Sequence, residues 1–420
     1  MSAASRLSIA LVASAILASA VSCATPAAAK AGPGPMPAGL NFYPANWEFC
    51  DSFIAKNGPS KPLAVFDFDN TCIYNDIMET TFRYQLFNLR YAMDKETFNG
   101  FIPEAAGKTL QDSNVLKLSA DYGNVVLADL ASDLEADYEF LYDNYLGAKK
   151  MTLDQIKETP EYKDFLVKLP FLYDGLTDTP EIGAEYSYPW VCFMCVGMKK
   201  DEVKALTLEA LKDALARKSE KVTLKNAEGL GRKAAVASYT YKAGLRITRE
   251  VVEIMRRMRA AGWEVWVVSA SFEPVIQAMG GLASNGFDVP ENRVIGVRLQ
   301  RDAAGRYLGK LSEEPGYALT QRAGKSVVIR NLIKEAPLFV AGDSDGDFEM
   351  MTQFPEVKCI LVVNRIKGGD IGSLYAEALP GKARPDRTVL LQGRDENTGE
   401  WRPYQETIKL GKQEPTALPK

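Results

Sequence analysis

The segment Ala64-Val65-Phe66-Asp67-Phe68-Asp69-Asn70-Thr71 constrains the chain most: an apolar run that turns abruptly into two aspartates one residue apart. An apolar run following the break Gly58-Pro59 predicts a buried strand over 63–68, and open α/β sheets bind ligands at the carboxyl ends of such strands. Residues two apart share a strand face, which sends Asp67 and Asp69 into one crevice. Two carboxylates that close repel by about 4 kcal/mol at roughly 4 Å and an effective dielectric of about 20. A hard divalent cation with oxygen ligands offsets that repulsion. Taken alone, a pair of aspartates also fits a loop cap or surface turn, so three later segments decide the matter.

Composition narrows the chemistry. The chain has 420 residues, 46% hydrophobic and 25% charged, enough for two domains with real cores. Its net charge of -4 and the lack of a Lys/Arg cluster with interleaved aromatics argue against nucleic acid as a partner. There are 0 histidines, which removes Ser-His-Asp triads, His-based zinc sites and phosphohistidine intermediates. Acid, base and nucleophile must come from other side chains.

At the N-terminus, Arg6 precedes an apolar run from Leu7 to Val21 and small residues after it. The run is too short for a membrane span and fits a secretory signal, with residues 1–39 as signal peptide and linker and the rest exported to the periplasm or cell envelope. Ala20-Val21-Ser22-Cys23 loosely resembles a lipobox, so a lipid on Cys23 is the one expected membrane contact, with ordinary cleavage as the alternative. Beyond Cys23, Cys50, Cys72, Cys192, Cys195 and Cys359 allow at most two disulfides; Cys192 and Cys195 sit in an apolar run and are expected to be structural.

A helix is expected over 46–57 with Asn46 as its cap. After Thr71 come roughly 190 residues before the next buried strand, too long for a loop. Helical periodicity over 76–91, 138–146, 152–169 and 201–217 predicts a helical cap spanning 76–239, inserted into a core made of 40–75 and 240–420. From Thr248 the core resumes: a helix over 249–261, a strand from Glu264 ending at Ser269, and a hairpin of 294–299 with 306–311. A helix opened by Lys325, a strand delivering Gly342-Asp343-Ser344-Asp345-Gly346-Asp347, and a strand over 359–363 follow. Alternating strands and helices predict a doubly wound, mainly parallel α/β sheet. The tail after Pro380 reads as polar, with one hairpin near 395–400 and no chemistry.

Four motifs now stand in fixed order: Asp67-Phe68-Asp69-Asn70-Thr71, Ser269 at a strand end, Lys325 at a helix start, and Gly342-Asp343 with Asp347. This pattern resembles the haloacid dehalogenase superfamily, with the insertion where that superfamily places its C1 cap. The resemblance implies a Rossmann-like core and a phosphatase, since the dehalogenases lack the second aspartate. A carboxylate oriented by a cation is a competent nucleophile toward phosphorus, so Asp67 would form a phosphoaspartyl intermediate. Asp69 would act as general acid and then base. Ser269 would bind a phosphoryl oxygen, and Lys325 would neutralise the equatorial charge. A Mg2+ ion would be held by Asp67, the Asp69 carbonyl and Asp343, with Asp347 in the outer shell or orienting Lys325.

For the substrate, a small phosphomonoester is implied. Within the superfamily the chain resembles the bacterial phosphorylcholine phosphatases, through Asn75-Asp76-Ile77-Met78-Glu79-Thr80, Tyr188-Pro189-Trp190-Val191, Val267-Val268-Ser269-Ala270, 290–297 and Val363-Asn364-Arg365. Ser271 departs from that pattern, standing where a small apolar residue is usual. Aromatic faces and a carboxylate bind quaternary ammonium groups, so Glu79, Tyr188 and Trp190, beside Asn70 and Thr71, are expected to bind substrate. Phosphoserine or broad acid-phosphatase activity is the alternative, and an inactive envelope binding protein is the alternative of another class.

Overall fold

In the computed structural model, residues 34–104, 115–117, 124–227, 229–230, 232–379, 381–382 and 384–416 are described; the leader run 7–21 and Cys23 lie outside them. Six parallel strands form the central sheet: β1 (Leu63–Phe66), β2 (Glu264–Phe272), β3 (Val294–Val297), β4 (Pro337–Gly342), β5 (Cys359–Val363) and β6 (Thr388–Gln392). Their order is β6-β5-β4-β1-β2-β3, so the winding reverses around β1 and opens a crevice at the carboxyl ends. The sheet carries helices on both faces, which explains the unbroken apolar runs within its strands. Leu63 and Val65 pack with Val340 and Ile360 on one face, Ala64 and Phe66 with Phe339 and Leu361 on the other.

β1 ends two residues earlier than expected. Asp67 already belongs to the loop, although its N–H still donates to Ala341 of β4 at 2.9 Å. The Val294 to Leu299 stretch is not one arm of a hairpin: Val294–Val297 joins the main sheet, and only Leu299–Arg301 pairs antiparallel with Tyr307–Leu311. The tail corrects the sequence more strongly, since Thr388–Gln392 is the sixth sheet strand. Helix α1 (Pro44–Asn57) starts on Pro44, and the expected cap Asn46 lies inside it, donating instead to the Leu391 carbonyl of β6 at 2.8 Å.

Between β1 and β2 the chain builds a mostly helical layer. Asp76 caps α2 (Ile77–Phe87) through the Glu79 N–H at 2.8 Å. The helix expected at 138–146 is α3 (Leu127–Leu141), followed by a wider turn over Tyr142–Leu146. The stretch 152–169 splits at Thr159-Pro160 into Leu153–Lys157 and the long α4 (Pro160–Asp178), each with its own threonine cap. α5 (Ala184–Phe193), α6 (Lys200–Ala216) and an antiparallel hairpin of Glu220–Lys225 with Ser238–Ala243 complete it. Inside this layer Lys168 is fully buried, 2.8 Å from both Asp133 and Asp164. Cys50, Cys72, Cys192, Cys195 and Cys359 are buried free thiols. Among the described residues no helix is long and apolar enough to cross a membrane.

Candidate active site

The loop after β1 supplies the first carboxylate. Asp67 is 6% exposed; its Oδ1 accepts from Lys325 Nζ at 2.6 Å and its Oδ2 lies 3.1 Å from the Thr71 hydroxyl. That hydroxyl is also 3.1 Å from Asp343 Oδ1, so Thr71 bridges the two carboxylates with one hydrogen between them. Lys325 lies in the short helix Ala323–Val328, and its ammonium reaches Asp347 Oδ1 at 2.7 Å as well. Burial works against its charge, but Asp347 and Asp67 outweigh that and hold Lys325 above the usual lysine range.

The loop after β4 supplies Asp343 and Asp347. Asp347 Oδ2 accepts the N–H groups of Asp343 and Ser344 at 3.0 and 3.1 Å, folding the loop back on itself. Gly342 makes this possible: a Cβ there would stand 2.7 Å from Asp347 Cγ. Asp343 Oδ2 pairs with Arg365 at 2.5 Å. Burial raises Asp343, yet Arg365 and Lys367 more than reverse it and hold its carboxyl below the ordinary range.

Asp69 faces away from this trio. Its Oδ1 accepts from the Ile77 N–H at 2.7 Å, its Oδ2 from Ser271 at 2.7 Å and from Ser269 at 3.3 Å. Burial pushes its carboxyl up to about 6, against the pull of those three donors. Residues two apart on β2 share a face, so Ser269 and Ser271 arrive together; Ser271 makes the shorter bond.

Carboxylate oxygens of Asp67, Asp343 and Asp347 lie within 4.8 Å of one another, all buried. The donors are oxygen only, the set that suits a hard cation such as Mg2+. Burial, Asp347 and Asp343 push Asp67 well above the carboxylate range despite Lys325, so the cluster is short of positive charge. The residues fit a divalent cation.

These groups open into a cavity of about 640 Å³ between the sheet and the helical layer. Asp67, Asp69, Asn70, Ser269, Lys325, Asp343 and Asp347 line it from the sheet side, and Glu79 and Tyr188 from the helical side. Thr71 lies just beneath. Trp190 corrects the expectation: it is 0% exposed, stacks on Tyr173 and donates to the Phe101 carbonyl at 3.0 Å, inside the helical core. Glu79 is already paired with Arg83 at 3.1 Å.

Several lining residues escaped the sequence. Asp174, Tyr173 and Tyr239 face the cavity without any motif to mark them. Arg365 and Lys367 follow β5 as the aspartates follow β1 and β4, a signal that strand ends alone offered. Arg394, 2% exposed and just past β6, donates to the Asn70 carbonyl at 3.3 Å and its Oδ1 at 3.2 Å. It thereby fixes Asn70 at a φ of 60, so the tail does contribute to the site.

Residues 196–352 match the family model described as haloacid dehalogenase-like hydrolase. Over that stretch the chain is similar to that family. The matched residues include Ser269, Lys325, Asp343 and Asp347, whereas Asp67 and Asp69 precede them. Over 88% of this chain and 97% of the other, the chain is 27% identical to a conserved functionally unknown protein from Anaerococcus prevotii, with a TM-score of 0.78. A phosphoserine phosphohydrolase-like protein from Francisella tularensis is 10% identical over 72% of this chain and 87% of its own, with a TM-score of 0.30. A protein with unknown function from Bordetella pertussis is 14% identical over 78% and 97%, with a TM-score of 0.38. The last two superpose too loosely to carry an argument. No curated protein matches.

Proposed function

We propose that this chain is an exported, magnesium-dependent phosphomonoesterase that works through a phosphoryl group on Asp67 and acts on a small amino-alcohol phosphate such as phosphocholine or phosphoethanolamine. The reading rests on one observation above all: Asp67 is gripped by Lys325 on Oδ1 and bridged by Thr71 to Asp343 on Oδ2, while Asp69 is held separately by Ser271, Ser269 and Ile77. Nucleophile and acid are thus kept apart. Asp67, Asp343 and the Asp69 carbonyl would hold Mg2+, which when bound draws charge from phosphoryl oxygens.

Asp67 attacks phosphorus as the leaving oxygen takes the proton from Asp69. A carboxyl near 6 is suited to that exchange, because it is divided between acid and base close to neutral pH. Asp69, now ionised, takes a proton from the water that hydrolyses the acyl phosphate. Lys325 supplies the charge that the phosphoryl oxygens need, and Asp347 keeps it aimed. Ser269 turns its hydroxyl toward Asp69 in the free site; binding a phosphoryl oxygen requires a rotation of that group.

We assign the helical layer, 76–239, the part of a substrate-selecting cap over a core of 40–75 and 240–420. Tyr173, Asp174, Tyr188 and Tyr239 line the cavity from that side, with Glu79. Glu79 is partly satisfied by Arg83, whereas Asp174 accepts from the Tyr239 hydroxyl and has Arg83 as its opposing charge. Aromatic faces with an uncompensated carboxylate suit an ammonium group. Resemblance to the phosphorylcholine phosphatases supports the same class, and the leader run 7–21 supports export.

The test is phosphate release from a panel of phosphomonoesters with and without magnesium. Magnesium-dependent turnover with preference for amine-bearing esters is expected. Preference for none would favour a broad acid phosphatase, and no turnover at all would leave an envelope binding protein.

A further inference from the structure

The cavity carries positive charge beyond that which holds the phosphoryl group. Lys242 enters from the hairpin, Lys367 from the loop after β5, and Arg394 from the loop after β6. Glu396 gathers Arg394 and Lys409 at 2.9 Å and Lys242 at 3.7 Å, and Arg365 is committed to Asp343. Five cations therefore crowd two carboxylates. The Lys367 ammonium has no ion pair or hydrogen bond among the described residues, although it lines the cavity. Arg394 is 2% exposed and its Nε has no hydrogen-bond partner. Gathering like charges at a partly buried wall is costly even with Glu396, Asp343, Asp347 and Asp345 nearby, and burial holds both Lys242 and Lys367 below the usual lysine range.

Lys325 already serves the transferred phosphoryl group, so this wall is free for another. Building on the phosphomonoesterase reading, we propose that Lys242, Lys367 and Arg394 form a second anion subsite that receives a carboxylate or second phosphate carried by the leaving group. With the ammonium on the Asp174 side, the amine-bearing leaving group then carries an anionic group as well.

Pairs of esters that differ by one anionic group test this: phosphoserine against phosphoethanolamine for the carboxylate, and 1,3-propanediol bisphosphate against its monophosphate for the phosphate. At least one doubly anionic ester should exceed its partner in kcat/KM by about tenfold, the range of a charge-assisted hydrogen bond. Lys242→Met and Lys367→Met should pull that ratio toward one, while Lys242→Arg and Lys367→Arg should keep it. The ratio is internal to each preparation, so partial misfolding does not distort it. Ratios near one in the unaltered enzyme, or equal losses on both members of a pair, overturn the subsite while leaving the phosphatase intact. If no ester turns over, calorimetry with 2-amino-4-phosphonobutyrate against 3-aminopropylphosphonate decides: tighter binding of the carboxylate-bearing phosphonate supports the subsite, and equal binding overturns it.

Discussion

Replacing Asp174 by Asn isolates the recognition of the amine. Asp174 sits on α4 with Tyr173 beside it and Tyr239 donating to it from the hairpin; Glu79 and Arg83 face it from α2, and Asp178 follows on its own helix. Burial, then Glu79, push its carboxyl up to about 7. An ammonium about 5 Å away at an effective dielectric of about 20 is attracted by about 3 kcal/mol. Partial exposure and screening discount that to roughly 1–2 kcal/mol, about five- to thirtyfold in KM. The sign with pH follows from the raised value: below about 7 Asp174 is protonated and neutral, so KM for an amine-bearing ester should fall as pH rises through that point. Steady-state kinetics from acid to mildly alkaline pH, with phosphoethanolamine and p-nitrophenyl phosphate side by side, measure it. Asp174→Asn should raise KM for the amine ester and flatten its pH dependence while sparing the KM of the neutral aryl ester. Equal losses on both esters, or a pH limb that survives in the variant, would refute the reasoning.

Lys168→Met leaves Asp133 and Asp164 buried without their shared ammonium and should cost about 3–5 kcal/mol at neutral pH by denaturant unfolding. Lys168 and the backbone N–H groups of Lys233 and Ala234 overcome burial and hold the Asp133 carboxyl below the ordinary range, so this contribution is full above about 3.9 and lost as pH falls further; the gap between variant and parent should therefore narrow in acid, and no narrowing would count against the cluster. Gly342→Ala drives a methyl into Asp347 and the buried Met351 and should lower kcat at least tenfold in steady-state kinetics by disturbing the aim of Lys325. Arg394→Ala should lower kcat/KM about ten- to a hundredfold by freeing Asn70, with partial rescue by added guanidinium ion; no rescue would deny the positioning role.

The strands over 63–66, 337–342 and 359–363 were legible because burial on both faces demands unbroken apolar runs. The aspartates after the first two were legible because they recur directly behind such runs in a fixed order with Ser269 and Lys325. β6 was missed because Thr388 and Gln392 frame only three apolar residues, and with it went Arg394. Trp190 misled for a physical reason: a Tyr-Pro-Trp segment on a helix turns its residues to different faces, so Tyr188 reaches the cavity at 39% exposure while Trp190 faces the core at 0%. Asp174 and Tyr239 could not be found from spacing at all, because only the packing of α4 against the hairpin brings them together.

The most direct measurement is chemical trapping of the phosphoryl group during turnover: acid quench, borohydride reduction of the acyl phosphate, and mass spectrometry of the peptides. The account predicts modification at Asp67 alone, dependent on magnesium and absent from Asp67→Asn. Sustained phosphate release with no trapped aspartate, or modification at any other carboxylate, would contradict it.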